Sequence, residues 1–547
     1  MRGWLTTRRV SGILLGLLVL GAAYAAINLH RRGHTTGDDW ALYIRMAKSV
    51  FEGNVADVVS DNRFLFDNST AVTPPIYPWG WPLLLAPFVR VWGIDFDRLK
   101  LVEVAVFVAW LVLYHGIVRR RAGRILAFAL TAVFASSYVY LVYTDQLLTE
   151  YPYMLAVAFV VWWLDRVMDR SRLTRATTRD LVILGLLAVA AYNVRREGLM
   201  LVFAIAGAQL VDLGASRGPR WARGALRTMP WKTLLTPHVT FAVGALIFQL
   251  LLPSTLVPDN GNSRRYITTR LWSLDNGTDA RHRPQYPAHL VSQLGLGQPP
   301  AFGRWLMVLA AAGAVVGCVK APRRNVPLAV LGLSTMLVIG THLRMVPRYY
   351  MQITPLIVFF VAMLLLYVVT WLGRLIARHR LILDDRRGIA LLAAGPFLWL
   401  AAYHATLLPA RLDAAQTYND SGAVQRGPML EQNQLAMDVI DKYTGPDDIV
   451  VYYRARTATL YTGRRALQTT SFKNMVANGD WFMQNKKDNY SQVVATAEQL
   501  AASDFELVWE DDNWRLWRIP DDSVELAPSS PDVQPVFDGG TVVGSPP

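Results

Sequence analysis

The residues of this chain with the clearest capacity for chemistry are two adjacent carboxylates, Asp38 and Asp39, followed at helical spacing by Tyr43 and Ala47. They come directly after the first long apolar run, where acidic residues ordinarily mark only a solvated loop. Further on, Tyr77-Pro78-Trp79-Gly80-Trp81-Pro82 is an aromatic, proline-rich run suited to the boundary between membrane and water. The stretch from Tyr143 to Pro152 adds Asp145 and Glu150 immediately ahead of another apolar run, where a carboxylate also serves as plain helix N-terminal charge. Arg195-Arg196, Arg264-Arg265, Arg270, Arg344 and Arg348 complete the set. A positioned carboxylate takes the proton of an attacking hydroxyl. Arginine presents a rigid fork of donors that matches a phosphate. The bland reading of the same arginines is a lipid head-group contact or an ion pair such as Arg196 with Glu197.

What must position these groups follows from composition. The chain has 547 residues, 53% of them hydrophobic and 18% charged, against about a quarter charged in an average soluble domain. With a mean hydropathy of +0.24 it reads as an integral membrane protein. The formal charge of +14 is spread in short basic clusters between apolar segments, which is how topology signals are distributed, so nucleic acid is set aside as a partner. The single cysteine, Cys318, lies in an apolar segment and leaves no intramolecular disulfide. At the N-terminus, Arg8-Arg9 precede an apolar run from Val10 to Ile27. Ala23-Tyr24-Ala25 resembles a signal-peptidase site, but the run is long for a signal core and a retained helix is favoured. Either way, Asp38 and Asp39 emerge outside.

Further apolar spans at 101–118, 125–143, 151–164, 181–193, 199–213, 239–257, 305–319, 326–343, 351–373 and 388–408 bring the expectation to about eleven crossings. Basic clusters at Arg119-Arg124, Arg166-Arg179, Arg217-Lys232, Lys320-Arg324 and Arg374-Arg387 all fall on the side that alternation makes cytoplasmic. Those on either side of 181–213 require two crossings between them, with Arg195-Arg196-Glu197-Gly198 at the external turn. The arginines named above are therefore the ones topology does not call for. The loop 258–300 is long and polar, with Arg281, His282, Arg283 and Tyr286, and reads as either a lid or plain disorder. An odd count with the N-terminus inside puts the polar remainder outside the cytoplasm, which in a bacterium means the periplasm or cell exterior.

The expected organisation is thus mainly α: a polytopic membrane helix bundle over 1–409 with external loops, a small extracytoplasmic α/β domain over 410–526, and a Pro/Gly/Ser-rich tail over 527–547 expected to be disordered. In the α/β domain, helices are expected at Gln432–Tyr443 and Ser491–Ala502, a strand at Asp448–Tyr453, and a hairpin pairing Phe505–Trp509 with Trp514–Trp517. The turn Tyr461-Thr462-Gly463-Arg464-Arg465 resembles one in the extracytoplasmic domain of bacterial transferases, and the domain is expected to pack or to bind acceptor.

Taken in order, Asp39 with Tyr43 and Ala47, the run Tyr77 to Leu83, Glu150 with Pro152, Arg195 to Gly198, and Arg348-Tyr349-Tyr350 with Pro355 resemble the GT-C glycosyltransferases, in particular the group of aminoarabinose transferases of lipid A and protein O-mannosyltransferases. The likeness runs over roughly residues 8 to 410 and rests on motif order and sidedness. It implies an inverting enzyme that moves a sugar from a polyprenyl-phosphate carrier to a cell-envelope acceptor outside the cytoplasm. By the same resemblance, Asp39 rather than Asp38 is the catalytic base, with Asp38 next in line. Glu150 then orients hydroxyls, Arg348 with Arg195, Arg196 and Arg344 holds the lipid phosphate, and Tyr43, Tyr77, Asp145 and Tyr349 line the donor and acceptor pocket.

This chain departs from the aminoarabinose transferases at Trp79 and Gly80, where they carry an acidic residue and a lysine, so an aminoarabinose donor does not follow. His34, His115, His238 and His404 are scattered over different segments and no cluster has metal-ligand spacing, so no cofactor is expected. The paired carboxylates Asp38-Asp39 leave a divalent ion open. The competing classes are a transporter or lipid flippase and a non-catalytic membrane scaffold. Against a transporter stand the lack of a recognisable internal repeat and polar groups gathered at one face instead of mid-bilayer.

Overall fold

The computed structural model of the chain describes residues 7–69, 76–217, 229–255, 285–297, 299–339, 347–378, 386–487 and 491–520. It divides into two compact units, one of Met1–His30, Lys100–Leu251 and Arg265–Ser421, the other of Arg31–Leu99, Leu252–Arg264 and Gly422–Pro547.

The first unit is a bundle of apolar helices. Among the described residues, seven helices are long and apolar enough to cross a membrane, or eight if the bent pair Tyr138–Asp145 and Glu150–Arg170 makes one span. The expected eleven is not reached on that criterion, for local reasons. The expected span 101–118 and the first part of 125–143 fall in one helical stretch, Phe96–Ser136, interrupted at Gly123, whose φ of 83° and ψ of 177° break the helix beside the Arg119-Arg124 cluster. Only glycine adopts that backbone without steric cost. Thr178–Val194 has 17 residues and is short, and Pro322–Ile339 opens on polar Pro-Arg-Arg-Asn.

Close backbone approach holds several helix pairs together. Pro300–Lys320 packs on Thr354–Arg378, and Thr178–Val194 on Trp231–Leu251. A Cβ on Gly313 would sit 1.9 Å from Phe360 O, so that crossing admits no side chain at all. Small residues at such contacts are how helices associate where lipid removes the hydrophobic drive.

Three of the basic segments assigned to one side, 119–124, 166–179 and 320–324, meet in space. Arg121 forms two parallel bonds with Asp165, at 2.6 and 2.7 Å, and its Nε donates to Arg324 O at 3.0 Å. Arg323 reaches Asp212 at 2.6 Å and Ser171 O at 3.1 Å. Asp165 and Arg170 lie near the C-terminal end of helix Glu150–Arg170, and Glu150 starts it. At 1.5 Å per residue its two ends are about 30 Å apart, the thickness of a hydrocarbon core. The carboxylate therefore sits a membrane's width from the basic clusters.

The second unit is α/β. Its five-stranded sheet has the order β2-β1-β3-β5-β4, with β1 Ile449–Val451, β2 Arg465–Leu467, β3 Trp481–Asn485, β4 Glu506–Glu510 and β5 Trp514–Arg518. The pairs β1–β2 and β1–β3 are parallel, and β3–β5 and β4–β5 antiparallel. Alternate side chains feed two cores. Val450, Met483, Leu516 and Trp514 join Ile440 and Leu65 on one face, while Val451, Phe482 and Trp517 join Met475 and Leu500 on the other. The expected hairpin and the helix Glu431–Tyr443 are present. The expected helix 491–502 shrinks to Ala497–Ala501, started by a capping box of Thr496 and Gln499.

Leu65 brings the segment that follows the first apolar run into this unit. Helix Asp39–Glu52 packs on Val55–Asn68, on Gly80–Trp92 and on Ala455–Thr462. Trp79 is fully buried and donates Nε1–H to Pro253 O at 2.9 Å. His34 stacks at 5.1 and 5.3 Å from Trp40 and Phe96. Arg464 ties two helix ends together, donating to Thr462 O at 2.7 Å and to Thr444 O at 3.1 Å. A cation at helix C-termini is favourable, which gives the Gly463-Arg464 turn a structural role.

Candidate active site

In the second unit the two carboxylates have separate jobs. Asp38 Oδ1 accepts from Thr457 N at 3.1 Å and Thr457 Oγ1 at 3.0 Å, and Oδ2 from Arg456 N at 3.3 Å. Those donors open helix Ala455–Thr462, so Asp38 anchors that helix by its unsatisfied N–H groups. Asp39, in the first turn of its own helix, accepts from Tyr77 Oη at 2.7 Å. Burial and the Asp39 charge push the Tyr77 phenol well above its ordinary pKa, which keeps it a donor. Tyr43 packs its ring 4.8 Å from that of Tyr77.

Arg456 completes this cluster. Its guanidinium lies 5.1 Å over the Tyr77 ring, with Nη1 3.5 Å from Tyr77 Oη, and the residue is 4% exposed. Burial pulls its pKa down, but Tyr77, Asp38 and Asp39 outweigh that and hold it above the usual arginine value. The group stays a buried cation among anions.

The first unit carries a cluster of arginines and glutamates. Glu150 Oε1 accepts from Arg195 Nη1 at 3.0 Å, and Arg348 Nε lies 3.6 Å from the same oxygen. Glu150 Oε2 is buried and accepts no hydrogen bond from any described residue. Arg195 is spent: Nε and Nη2 donate to Glu197 Oε1 at 3.3 and 2.9 Å, and Nη1 also reaches Thr149 Oγ1 at 3.1 Å. Burial works against its charge, yet Glu197 and Glu150 hold its pKa well above the ordinary value. Arg195 and Arg348 flank the Tyr349 ring at 5.6 and 5.8 Å. Arg348 keeps 24% of its side chain exposed against 12% for Arg195, so it is the cation with surface to offer.

Two expected residues take other places. Arg196 lies 4.2 Å over the Tyr192 ring and donates to Tyr192 O at 3.2 Å, and it is Arg195 that hydrogen-bonds Glu197. Asp145 forms an ion pair at 2.7 Å with Lys100, a lysine with no exposure. This pair belongs to a set of bonds that fixes the turn ahead of Glu150. Glu103 Oε1 accepts from Leu148 N at 2.8 Å, and His30 Nε2 lies 3.0 Å from Thr144 Oγ1. The Thr144 hydroxyl already donates to Leu141 O at 2.7 Å, so His30 must supply the proton. Burial and Lys100 push its pKa down to about 3, leaving it neutral. Arg344 lies outside the described residues, as do Arg264, Arg265, Arg270, Arg281, His282, Arg283 and 527–547.

Among the described residues no group of three or more His, Cys, Asp or Glu side chains is placed to hold a metal ion. His115 faces Thr131, His238 faces Gln209, and His404 Nε2 lies 2.8 Å from Leu294 O.

Sequence reasoning missed Arg456 and Thr457, which follow a short strand in a stretch with no motif. It also missed Lys100 and Glu103, although charges inside an apolar span are a signal that could have found them.

No protein-family model matches the chain. No curated protein matches either. Among solved structures, the chain is similar to ArnT from Cupriavidus metallidurans in the apo state, with a TM-score of 0.52 and 12% identity over 94% of this chain and 99% of that one. ArnT bound to undecaprenyl phosphate gives 0.48 and 12%, over 92% and 97%. An oligosaccharyltransferase from Archaeoglobus fulgidus in the apo form gives 0.48 and 10%, over 86% and 69%. At such identities the likeness to apo ArnT is one of fold.

Proposed function

Starting from the GT-C membrane fold that this chain has, we propose that it is an inverting glycosyltransferase that moves a sugar from a polyprenyl-phosphate carrier to a cell-envelope acceptor, a lipid, glycan or protein. The observation that carries the reading is the contrast between two neighbouring carboxylates: Asp38 is consumed by a helix N-terminus, while Asp39 is held by a phenol that remains a donor. A base must be fixed but not consumed by backbone donors, and of the two carboxylates it is Asp38 that the backbone N–H groups take up.

In the proposed step the acceptor oxygen attacks the anomeric carbon on the face opposite the phosphate. Its proton passes to the Asp39 carboxylate. The bond from the anomeric carbon to the phosphate oxygen breaks, and the electron pair leaves with the lipid phosphate. Arg348 stabilises that developing charge. Glu150 orients a hydroxyl of sugar or acceptor by accepting its hydrogen bond through Oε2, and Arg195 holds Glu150 in place. Membrane lipids and the carrier are the partners this requires; no resident cofactor takes part in the step.

The test is transfer from purified polyprenyl-phosphate sugars by the purified protein, guided by the glycolipids that change between cells with and without it. A donor-dependent product with inverted anomeric configuration is expected, and retention of configuration would exclude the single displacement. The proposed orientation places the active face in the periplasm or cell exterior. A reporter active only outside the cytoplasm should work when fused after residue 420 and stay silent near Arg220; the opposite pattern would reverse the sidedness on which a flipped lipid donor depends.

A further inference from the structure

We infer that the C-terminal α/β domain is part of the catalytic site, contributing Arg456 as a positioning residue that, together with Tyr77, holds Asp39 aimed and ionised. The inference rests on the reading of Asp39 as the base and adds a residue from the far end of the chain.

The geometry argues for this in three steps. A buried cation is retained only where anions face it, and Arg456, 4% exposed, has Asp38 and Asp39 acting on it. Asp38 is already bonded to the first turn of helix Ala455–Thr462, including the backbone N–H of Arg456 itself. That anchor fixes where the Arg456 side chain begins. The side chain then runs to Tyr77, 3.5 Å from its Oη, and that same Oη donates to Asp39 Oδ1 at 2.7 Å. One carboxylate places the arginine, and the arginine and phenol set the other carboxylate.

The chemical consequence is a base that stays unprotonated. A nearby cation and a hydrogen bond to the charged form both lower a carboxyl pKa. Among the described residues, other charged or titratable groups nearby act against this or are engaged elsewhere. Asp38, beside it, acts in the opposite direction, and Tyr43 on its own helix is a neutral ring against Tyr77. Helix Val55–Asn68 brings Asp61, which is paired with Arg45 and with Arg465. Helix Gly80–Trp92 carries Arg90 in its last turn, over Phe51. Arg456 is thus a described cation that acts on Asp39 through Tyr77 and through its own charge.

The experiment is the pH profile of sugar transfer by the full-length protein. Arg456→Gln should move the acid limb of kcat up by about one pH unit or more, the scale of a carboxylate losing an adjacent arginine. Arg456→Lys should bring it most of the way back. Tyr77→Phe, which keeps the ring and removes the donor, should move the limb in the same direction and serves if Arg456→Gln does not fold. A packing role predicts less folded protein with an unmoved limb, and that result in either variant would overturn the inference. The same coupling is read without substrate from the infrared band of protonated carboxyl that disappears in Asp39→Asn, whose titration should shift upward in Arg456→Gln. If that band shifts while no donor is ever turned over, Arg456 is confirmed and the transferase reading falls. If transfer depends on Asp39 and neither limb nor band moves, the reading stands and Arg456 is removed from it.

Discussion

Asp39→Asn is expected to accumulate folded in membranes and to lose sugar transfer by about 100- to 10,000-fold, the usual contribution of a positioned general base. The amide keeps the shape and still offers Oδ1 to the Tyr77 hydroxyl. What it loses is the lone pair that takes the acceptor's proton and the charge facing Arg456. The loss should lie in kcat, since nothing in the donor need touch the base before the bond-making step. Asp38→Asn is the informative companion. It weakens the anchor of helix Ala455–Thr462, because the amide keeps one oxygen for Thr457 but its NH2 group cannot accept from Arg456 N, so it should cost stability before it costs chemistry. Near-wild-type turnover in Asp39→Asn, with Asp38→Asn inactive yet fully folded, would exchange the two roles.

Arg348→Ala should weaken binding of the donor and of the spent lipid phosphate alike by about 1.5–3 kcal/mol, the scale of a hydrogen bond to a charged group. That corresponds to roughly ten- to a hundredfold in affinity. Lysine in its place should recover part, because it restores the charge without the fork. Arg195 should behave differently. Each of its terminal nitrogens already has a carboxylate partner, so Arg195→Ala should release Glu150 and lower kcat more than lipid affinity. If Arg348 were only an ion-pair partner of Glu150, its removal would lower the melting temperature and leave lipid affinity intact. Measuring both on one purified variant decides between these outcomes.

The membrane part was legible because hydrocarbon imposes its pattern on every span, and basic clusters report sidedness one by one. Arg119-Arg124, Arg170 and Arg323 were placed on one side by charge alone, and segments 119–124, 165–175 and 323–324 are in contact through Asp165, Ser171 and Asp212. Span counting was less secure, since a helix broken at Gly123 and a helix of 17 residues both blur what a window can see. Asp39 could be singled out only by resemblance. The physical difference from Asp38 is a hydrogen bond to a backbone 419 residues away, which no local pattern records. Arg456 was invisible for the same reason. Its neighbours in sequence, Ala455 and Thr457, look like any helix start, and its meaning comes from Tyr77 in a loop on the other side of ten expected spans.

That separation along the chain also orders events in time. Asp38 leaves the ribosome early, and the N–H groups it anchors are made 418 residues later, so at 5–20 residues per second the two are born roughly 20–80 s apart. During that interval the segment around Asp38 lacks the helix that it holds in the finished chain. The bonds around the carboxylate pair are incomplete until residues 455–462 have been made and folded, so a nascent chain can hold its apolar helices before it holds an assembled candidate site. Completion of the C-terminal part is thereby the last step in assembling that site.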